Sequence, residues 1–420
     1  MVRTRIAPSP TGYPHIGTIY QALFDWAYAR KNKGAFLVRI EDTDRTRFVP
    51  DAEENIFKSL DWFSLTEDES PRKGGDFGSY RQSERLDIYK KYAQQLVDQG
   101  YAYYCDCTPG RLQEIRDRMQ KEGKSPMYDK NCRNLNKTSG VVRLKVPERT
   151  TITVIDGIRG EISFESSTVD DQVLIKSDGF PTYHLAVVVD DHLMEITDVV
   201  RGEEWITSTP KHWLLYDYFG WTKPNFYHTP VLRNPDKSKL SKRHGHTNVT
   251  WYQEAGFLPE TILNFLALMG WSHPEEKEIF SIDEFTQLFE LKDLKPVGPI
   301  FDLTKLEWMN GMYIRELNTE DLVKRLILFD QTLNELPQEQ LYGFAEIAKS
   351  RMKTFREFRG LIDPFLNKRT VELSEDQNER KQKLYETLSG LEDWNTENIV
   401  EILKSFAQEY EINFKEYQKL

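Results

Sequence analysis

Pro14-His15-Ile16-Gly17-Thr18 stands between a short apolar run, Thr4 to Ala7, and a stretch with apolar residues at Ile19, Leu23, Trp26 and Ala27. That order reads as strand, loop and helix, with Phe36 to Ile40 as the next strand. In a parallel sheet, backbone N–H groups at such a helix start meet phosphate oxygens. His15 and Gly17 are therefore candidates for a nucleotide site. No G-x-G-x-x-G occurs here, so a dinucleotide site is not indicated. Arg5 lies in the first strand and Glu41 at the end of the second. A guanidinium there suits a carboxylate, and a carboxylate suits an ammonium group. The alternative for Glu41-Asp42-Thr43-Asp44 is a solvated acidic turn. Further on, Asn234 to Gly245 is a basic loop containing Lys239 and Lys242. Lysine is a flexible point charge suited to triphosphate oxygens, so this loop is either a phosphate clamp or a solvated surface.

Two other groups of residues could do chemistry. All three cysteines, Cys105, Cys107 and Cys132, flank one polar helix between 111 and 121. C-x-C with a third thiol beyond a helix resembles a structural zinc knuckle, which requires a fourth ligand. Tyr128 is the candidate, and no histidine is near. The alternative is three unpaired thiols. Between 349 and 369 there are seven basic residues (349, 351, 353, 356, 359, 368, 369) against two acidic ones (357, 363). The stretch 344–362 reads as helical. Phe344, Ala348, Met352, Phe355 and Ile362 occupy one face, and Lys349, Lys353 and Arg356 form a stripe on another. In a chain of net charge −11, that local excess points to a phosphate-facing surface, against a merely solvated face.

The elements that must position these groups follow from the pattern. Helices are expected over 51–62 and from Leu86 to Gly100. Strands are expected over 141–147, 151–155, 161–164 and 173–176. The apolar run 182–193 continues the strands and returns the chain to the main sheet, so 82–187 reads as an insertion. Ile196 to Arg201 is a further strand, and 210–219 a helix. From about Trp251 the chain turns helical. At 420 residues, with 39% apolar and 29% charged residues, it is long enough for about three domains and too apolar for extended disorder. No apolar run reaches membrane length, the first strand leaves no room for a leader, and three cysteines give no disulfide framework. A cytoplasmic location is expected.

Together these motifs resemble a known family. Pro14-His15-Ile16-Gly17 is similar to the HIGH signature of class I aminoacyl-tRNA synthetases, and Lys239-Leu240-Ser241-Lys242-Arg243 to their KMSKS loop. The segments RIAPSPTG at 5–12, RIEDTD at 39–44, VVDDH at 188–192 and RGEEW at 201–205 resemble the glutamyl/glutaminyl subgroup, and the helical region after 306 its bacterial-type glutamyl members. The resemblance implies an α/β Rossmann-like class I synthetase catalytic domain with an inserted α+β acceptor-binding subdomain, then mostly α-helical C-terminal domains. The implied divisions are 1–81 with 188–235 (catalytic), 82–187 (insert, with the zinc knuckle), 236–318 (KMSKS loop and stem contact), and 319–371 and 372–420 (anticodon binding). The last part stops short of the family's usual final helices, through truncation or reduction.

The implied activity is ATP-dependent ligation of L-glutamate to tRNA(Glu) through a glutamyl-adenylate, by a monomer using Mg²⁺. Alternatives are an enzyme that also charges tRNA(Gln), a tRNA-modifying paralogue, a nucleotidyltransferase acting on a small metabolite, and a non-catalytic RNA-binding homologue. By resemblance, Arg5, Ser9, Glu41, Tyr183 and Arg201 bind glutamate. ATP meets Ala7, His15, Gly17, Glu204, Trp205, Lys239 and Lys242, with His15 and Lys242 catalytic. Lys349, Arg351, Lys353 and Arg356 bind tRNA. Cys105, Cys107, Cys132 and Tyr128 hold zinc. Where some relatives carry asparagine four residues after the pocket tyrosine, this chain has Val187.

Overall fold

The computed structural model describes residues 1–44, 46–47, 49–240, 247–367 and 374–411. It opens with β1 (Arg3–Ile6), α1 (Ile16–Lys31), β2 (Ala35–Val38) and α2 (Ala52–Trp62). β1 and β2 pair in parallel, Arg3 opposite Ala35 through Ile6 opposite Val38. The loop between β1 and α1 breaks the strand because Pro8 and Pro10 have no N–H to donate to a ladder. His15 then caps α1: its Nδ1 accepts from Gly17 N–H at 2.9 Å.

The middle of the chain contributes α3 (Leu86–Asp98), β3 (Ala102–Cys105), α4 (Pro109–Lys121), β4 (Val141–Leu144), β5 (Thr151–Asp156), β6 (Gly160–Glu165) and β7 (Val173–Ile175). β3, β4 and β7 form a small antiparallel sheet. The β5–β6 hairpin joins a second sheet in the order β6-β5-β9-β8, where β8 is Asp198–Gly202 and β9 is Asn225–Thr229. β8 and β9 are parallel. β8 lies along β1, where Thr197 N–H donates to the Arg3 carbonyl at 3.0 Å.

Alternation along these strands feeds two cores. Ile6, Phe36, Val38 and Val200 pack with α1, while Ala35, Leu37 and Val199 pack on the opposite side with α3, α5 (Tyr183–Leu193) and α6 (Thr209–Phe219). A parallel arrangement covered on both faces results.

α5 corrects one expectation. The run 182–193 forms no strand; it is a helix whose residues from Leu185 to Asp191 are all buried. An element apolar on every side has no period to read, and three consecutive valines mimic a buried strand. The helical fold brings Asp190 and Asp191 under β1 and β2.

The helices that follow are α7 (Val249–Ala255), α8 (Pro259–Gly270), α9 (Ile282–Leu288), α10 (Leu303–Glu316), α11 (Thr319–Phe329), α12 (Gln338–Lys349) and α13 (Phe358–Leu366). The chain divides into two compact units, Met1–Arg359 and Gly360–Leu420. Within the second, α14 (Glu375–Ser389) begins with a reciprocal Ser374/Gln377 capping box and pairs with α15 (Thr396–Glu409). Among the described residues no helix is long and apolar enough to cross a membrane.

The stretch 344–362 gives a second correction: it is broken between α12 and α13. Tertiary partners take its backbone groups out of the helical ladder. Asn310 Nδ2 donates to the Lys353 carbonyl at 2.6 Å, Phe355 N–H donates to the Gly256 carbonyl at 3.0 Å, and Lys353 N–H donates to Glu357 Oε2 at 2.8 Å. The basic stripe is therefore not one helical face.

Gly256 makes that junction. Its φ is +78°, and an added Cβ would stand 2.7 Å from Phe355 Cβ and backbone N. Gly256→Ala should destabilise the larger unit by ~2 kcal/mol, combining left-handed strain with the clash. A denaturant titration would show it as a lowered midpoint. An unchanged midpoint would mean that the junction yields freely.

Candidate active site

The carboxyl ends of β1, β2 and β8 open on one side, and two adjoining cavities lie there. The first, about 730 Å³, is lined by Arg5, Ser9, Glu41, Tyr183 and Arg201 among others. The second, about 470 Å³, is lined by His15, Gly17, Glu204 and Lys239. Trp205 and Gln21 belong to both, so they form a shared wall. Ala7, assigned to the nucleotide by sequence, lines the first cavity. Lys242 lies outside the described residues, as do Ser241, Arg243, Lys368 and Arg369.

Ion pairing fixes the floor of the first cavity. Strand alternation points Arg3 and Arg5 toward α5, where Asp191 accepts from Arg5 Nε at 3.0 Å and from its NH2 at 3.1 Å. Arg39 is completely buried and donates to the same carboxylate at 2.8 Å. Burial alone would raise the Asp191 carboxyl, but the two guanidinium groups outweigh it and hold its pKa below the usual value. Asp190 turns the other way and accepts from Arg85 Nε (2.8 Å), Gln82 Nε2 (2.9 Å) and Tyr89 Oη (2.7 Å). The adjacent aspartates thus bind two different parts of the chain.

Glu41 stands above this floor, 3.5 Å from Arg39 NH2. That contact is made by its Oε1, which is buried and, like Arg39 NH2, has no hydrogen bond of good geometry among the described residues. Burial raises its pKa to about 7, and the pull of Arg39 and Arg5 does not cancel the effect. A carboxylate that lines the cavity and is held only by this loose ion pair suits a cationic or N–H-bearing ligand group. Arg201 faces it from β8, with Tyr183 Oη accepting from its NH1 at 3.2 Å. The Tyr183 and Trp205 rings lie 4.3 Å apart, centroid to centroid. The cavity therefore offers an acceptor at one place and two guanidinium groups at others, a match for a zwitterion carrying an additional acid.

In the second cavity His15 Nδ1 accepts from Gly17 N–H, which puts the ring's proton on Nε2. An added Cβ at Gly17 would stand 3.0 Å from that nitrogen. Lys239 Nζ reaches Glu204 Oε1 at 2.8 Å, so these two candidates are paired across the opening.

The cysteine group also assembles. The three sulfurs lie within 4.8 Å of one another. Tyr128 Oη is 3.3 Å from Cys105 Sγ and 3.5 Å from Cys107 Sγ, and Cys107 and Cys132 are 3.5 Å apart. Zinc–sulfur bonds of ~2.3 Å give tetrahedral edges of just under 4 Å, so the donor set fits a zinc ion. Burial would raise the Cys105 thiol, but Tyr128 and Arg143 bring its pKa down to about 7, toward the thiolate that a metal needs.

Two of the predicted basic residues make contacts within the protein. Arg356 NH2 donates to the Glu254 carbonyl at 3.0 Å, and Lys353 Nζ is 3.7 Å from Glu307 Oε2. Arg351 is exposed, and Lys349 ends α12. Sequence reading assigned no role to Gln21, Asp191, His212 or His228. Only Asp191 left a local signal, the acidic pair at the end of an apolar run.

Comparison with known proteins covers nearly the whole chain. Residues 1–308 match the family model described as tRNA synthetases class I (E and Q), catalytic domain, and residues 312–419 match an anticodon binding domain. A protein named glutamate--tRNA ligase from Acidothermus cellulolyticus is 54% identical over 341 residues, covering 79% of this chain and 67% of the relative. One of the same name from Thermus thermophilus is 47% identical, covering 97% of this chain and 90% of the relative. The crystal structure of a glutamate tRNA ligase from Elizabethkingia meningosepticum in complex with its amino acid superposes with a TM-score of 0.85 at 34% identity. That match covers 98% of this chain and 91% of that one.

Glu41 links ligand binding to stability. Its folded pKa of about 7 exceeds the ordinary 4.5, so its proton-linked stability is complete below pH 4.5 and is lost as pH rises through 7. Glu41→Gln removes that loss. The variant should match the parent near pH 4.5 and exceed it by roughly 2–3 kcal/mol at pH 8. Denaturant midpoints at the two pH values test this, and a variant less stable at pH 8 would refute it.

Proposed function

The chain belongs to the glutamate- and glutamine-type class I tRNA synthetases, and from that premise we propose that its two joined cavities hold L-glutamate and ATP side by side. The activity is ligation of glutamate to tRNA(Glu). Class I synthetases use ATP with Mg²⁺ for this: the α-carboxylate attacks the α-phosphate and releases pyrophosphate, and a terminal ribose hydroxyl of the tRNA then takes the glutamyl group. The observation that supports the placement is the shared wall. Trp205 and Gln21 belong to both cavities, so molecules in the two would lie in contact.

In this reading Glu41 Oε1 receives the α-ammonium group, and Arg5, Arg201, Ser9 and Tyr183 meet carboxylate oxygens. His15, through Nε2–H, and the Gly17 backbone meet the phosphates. Glu204 and Trp205 border the nucleotide, and Ala7, which lines the first cavity, borders it from the glutamate side. Lys239 and Lys242 close over the triphosphate as charge shifts to the leaving pyrophosphate. The work is alignment and charge stabilisation, with no covalent intermediate on the protein. Mg²⁺ supplies further neutralisation of the phosphate oxygens when bound.

The domain division belongs to the same reading. Residues 1–81 and 188–235 form the catalytic domain, 82–187 the insert that grips the acceptor end, 236–318 the stem-contact region, and 319–420 the anticodon-binding region. Lys349, Arg351, Lys353 and Arg356 are assigned to tRNA, as separate contacts. Zinc is assigned to Cys105, Cys107, Cys132 and Tyr128, where it would pin the end of β3 to the segment after α4. The enzyme is placed in the cytoplasm as a monomer. Its reach to tRNA(Gln) is tested by charging purified tRNA(Glu) and tRNA(Gln) in parallel.

ATP–pyrophosphate exchange, with tRNA present, should respond to glutamate far more than to glutamine or aspartate. Lys242→Ala should lower exchange about a hundredfold and leave the KM for glutamate within a few fold. Unchanged turnover would remove the clamp. Protein purified without added metal should hold close to one equivalent of zinc, lost in Cys107→Ala. Less than a tenth of an equivalent in the parent would remove the metal site.

A further inference from the structure

Arg5 and Arg201 share the first cavity but are held in opposite ways. Asp191 takes two hydrogen bonds from Arg5, so that charge is neutralised inside the protein. Among the described residues, no carboxylate touches Arg201. Its Nε–H donates to His228 Nε2 at 3.0 Å. Its NH1 reaches His212 Nδ1 at 2.9 Å and Tyr183 Oη at 3.2 Å, and its NH2 donates to Thr209 Oγ1 at 2.9 Å. Four of its five N–H donors therefore meet neutral groups, and this buried guanidinium lines the cavity.

A guanidinium group only donates. Each imidazole nitrogen facing it must present a lone pair, and the ring's proton must sit on the other nitrogen. The outer partners suit that arrangement. His228 Nδ1 lies 2.5 Å from Asp156 Oδ2, and His212 Nε2 lies 3.0 Å from His184 Nδ1. Asp156 is itself held, accepting from the N–H groups of Ile158, Arg159 and His228 at 2.9–3.0 Å. Every hydrogen bond along this chain then has one donor and one acceptor. Burial and the neighbouring guanidinium hold His212 well below the usual histidine range. Burial lowers His228 as well, against the pull of Asp156. The lone pair that each ring turns toward Arg201 goes with a neutral imidazole, in the same direction as these shifts.

We propose that His228 and His212, each fixed in one tautomer by Asp156 and His184, are positioning residues that keep Arg201 aimed and electrically uncompensated, so that Arg201 demands a carboxylate over an amide from the bound amino acid. The proposal rests on the reading of the first cavity as the glutamate site. An acidic residue in place of either histidine would neutralise Arg201 and weaken that demand. A protonated one would repel it. An amide side chain on the ligand leaves the buried charge without a counter-ion, the kind of mismatch that separates substrates most strongly.

Paired variants separate positioning from packing. His228→Gln and His212→Asn keep an acceptor close to the nitrogen that faces Arg201; His228→Leu and His212→Leu do not. In exchange assays with tRNA present, each leucine variant should raise the KM for glutamate about tenfold or more, with kcat within about threefold. The preference for glutamate over glutamine should narrow by a similar factor. The amide variants should stay within about threefold of the parent on all three measures. Leucine variants with parental KM and preference would overturn the proposal, as would amide variants as impaired as the leucine ones. A second measurement is independent of substrate. Proton–nitrogen NMR of the histidine-labelled parent at pH 7 should show His228 protonated on Nδ1 alone and His212 on Nε2 alone. Either ring charged or in the other tautomer overturns the cradle. The expected tautomers in an enzyme indifferent to glutamate would instead overturn the glutamate reading of the cavity.

Discussion

The buried pairing of Arg5 and Arg39 with Asp191 is the constraint from which the rest of the site follows. Two guanidinium groups, one in β1 and one just past the end of β2, meet one carboxylate from a helix more than 150 residues further on. Breaking such a buried group by removing one partner typically costs 3–5 kcal/mol, because the survivor is left charged and unsolvated. Asp190 extends the constraint to Gln82, Arg85 and Tyr89. One pair of adjacent aspartates therefore registers β1, β2, α3 and the turn before it against α5. Every side chain that lines the first cavity stands on an element held in this way or next to one.

That arrangement has an electrostatic consequence. A pocket for a zwitterion with an extra acid needs cations whose charge remains available, and a buried cation is costly unless paired. The two cavity arginines resolve this differently. Arg5 is neutralised from below and contributes directed N–H donors. Arg201 is surrounded by imidazole, phenol and hydroxyl acceptors, which satisfy its hydrogen bonds without cancelling its charge. Glu41 is the opposite case, a buried carboxylate whose Oε1 has only a loose 3.5 Å ion pair with Arg39. The pocket thus keeps charge uncancelled at the places where the proposed ligand would meet it.

Away from the cavities, long-range backbone hydrogen bonds override local propensity. The segment between α12 and α13 has helical spacing, yet Asn310 and Gly256 take a carbonyl and an N–H of it in tertiary contacts, and Glu357 takes the Lys353 N–H locally. The cysteine group likewise forms its own small core with Tyr103 and Tyr128, separate from the two cores that sandwich the sheet. Its tyrosine hydroxyl lies within 3.5 Å of two thiols, a distance set by the segment that returns from α4 to β3.

The sequence by itself determined the strand–loop–helix start, the helical carboxyl-terminal region, the cysteine–tyrosine grouping and the residue types at the cavity. Those features are written in local patterns: prolines that end a strand, a glycine and histidine at a helix start, an arginine and a glutamate at successive strand ends. Only the tertiary structure decided that 183–193 is a helix, since burial on all sides erases the period that distinguishes helix from strand. It alone broke the stretch 344–362, because the competing hydrogen bonds come from residues about 45 and 100 positions away, beyond any local pattern. It alone joined Asp156, His228, Arg201, His212 and His184 into one chain of donors and acceptors. Single histidines carry no spacing signal, and what makes these informative is the nitrogen each one turns toward a guanidinium group that only donates.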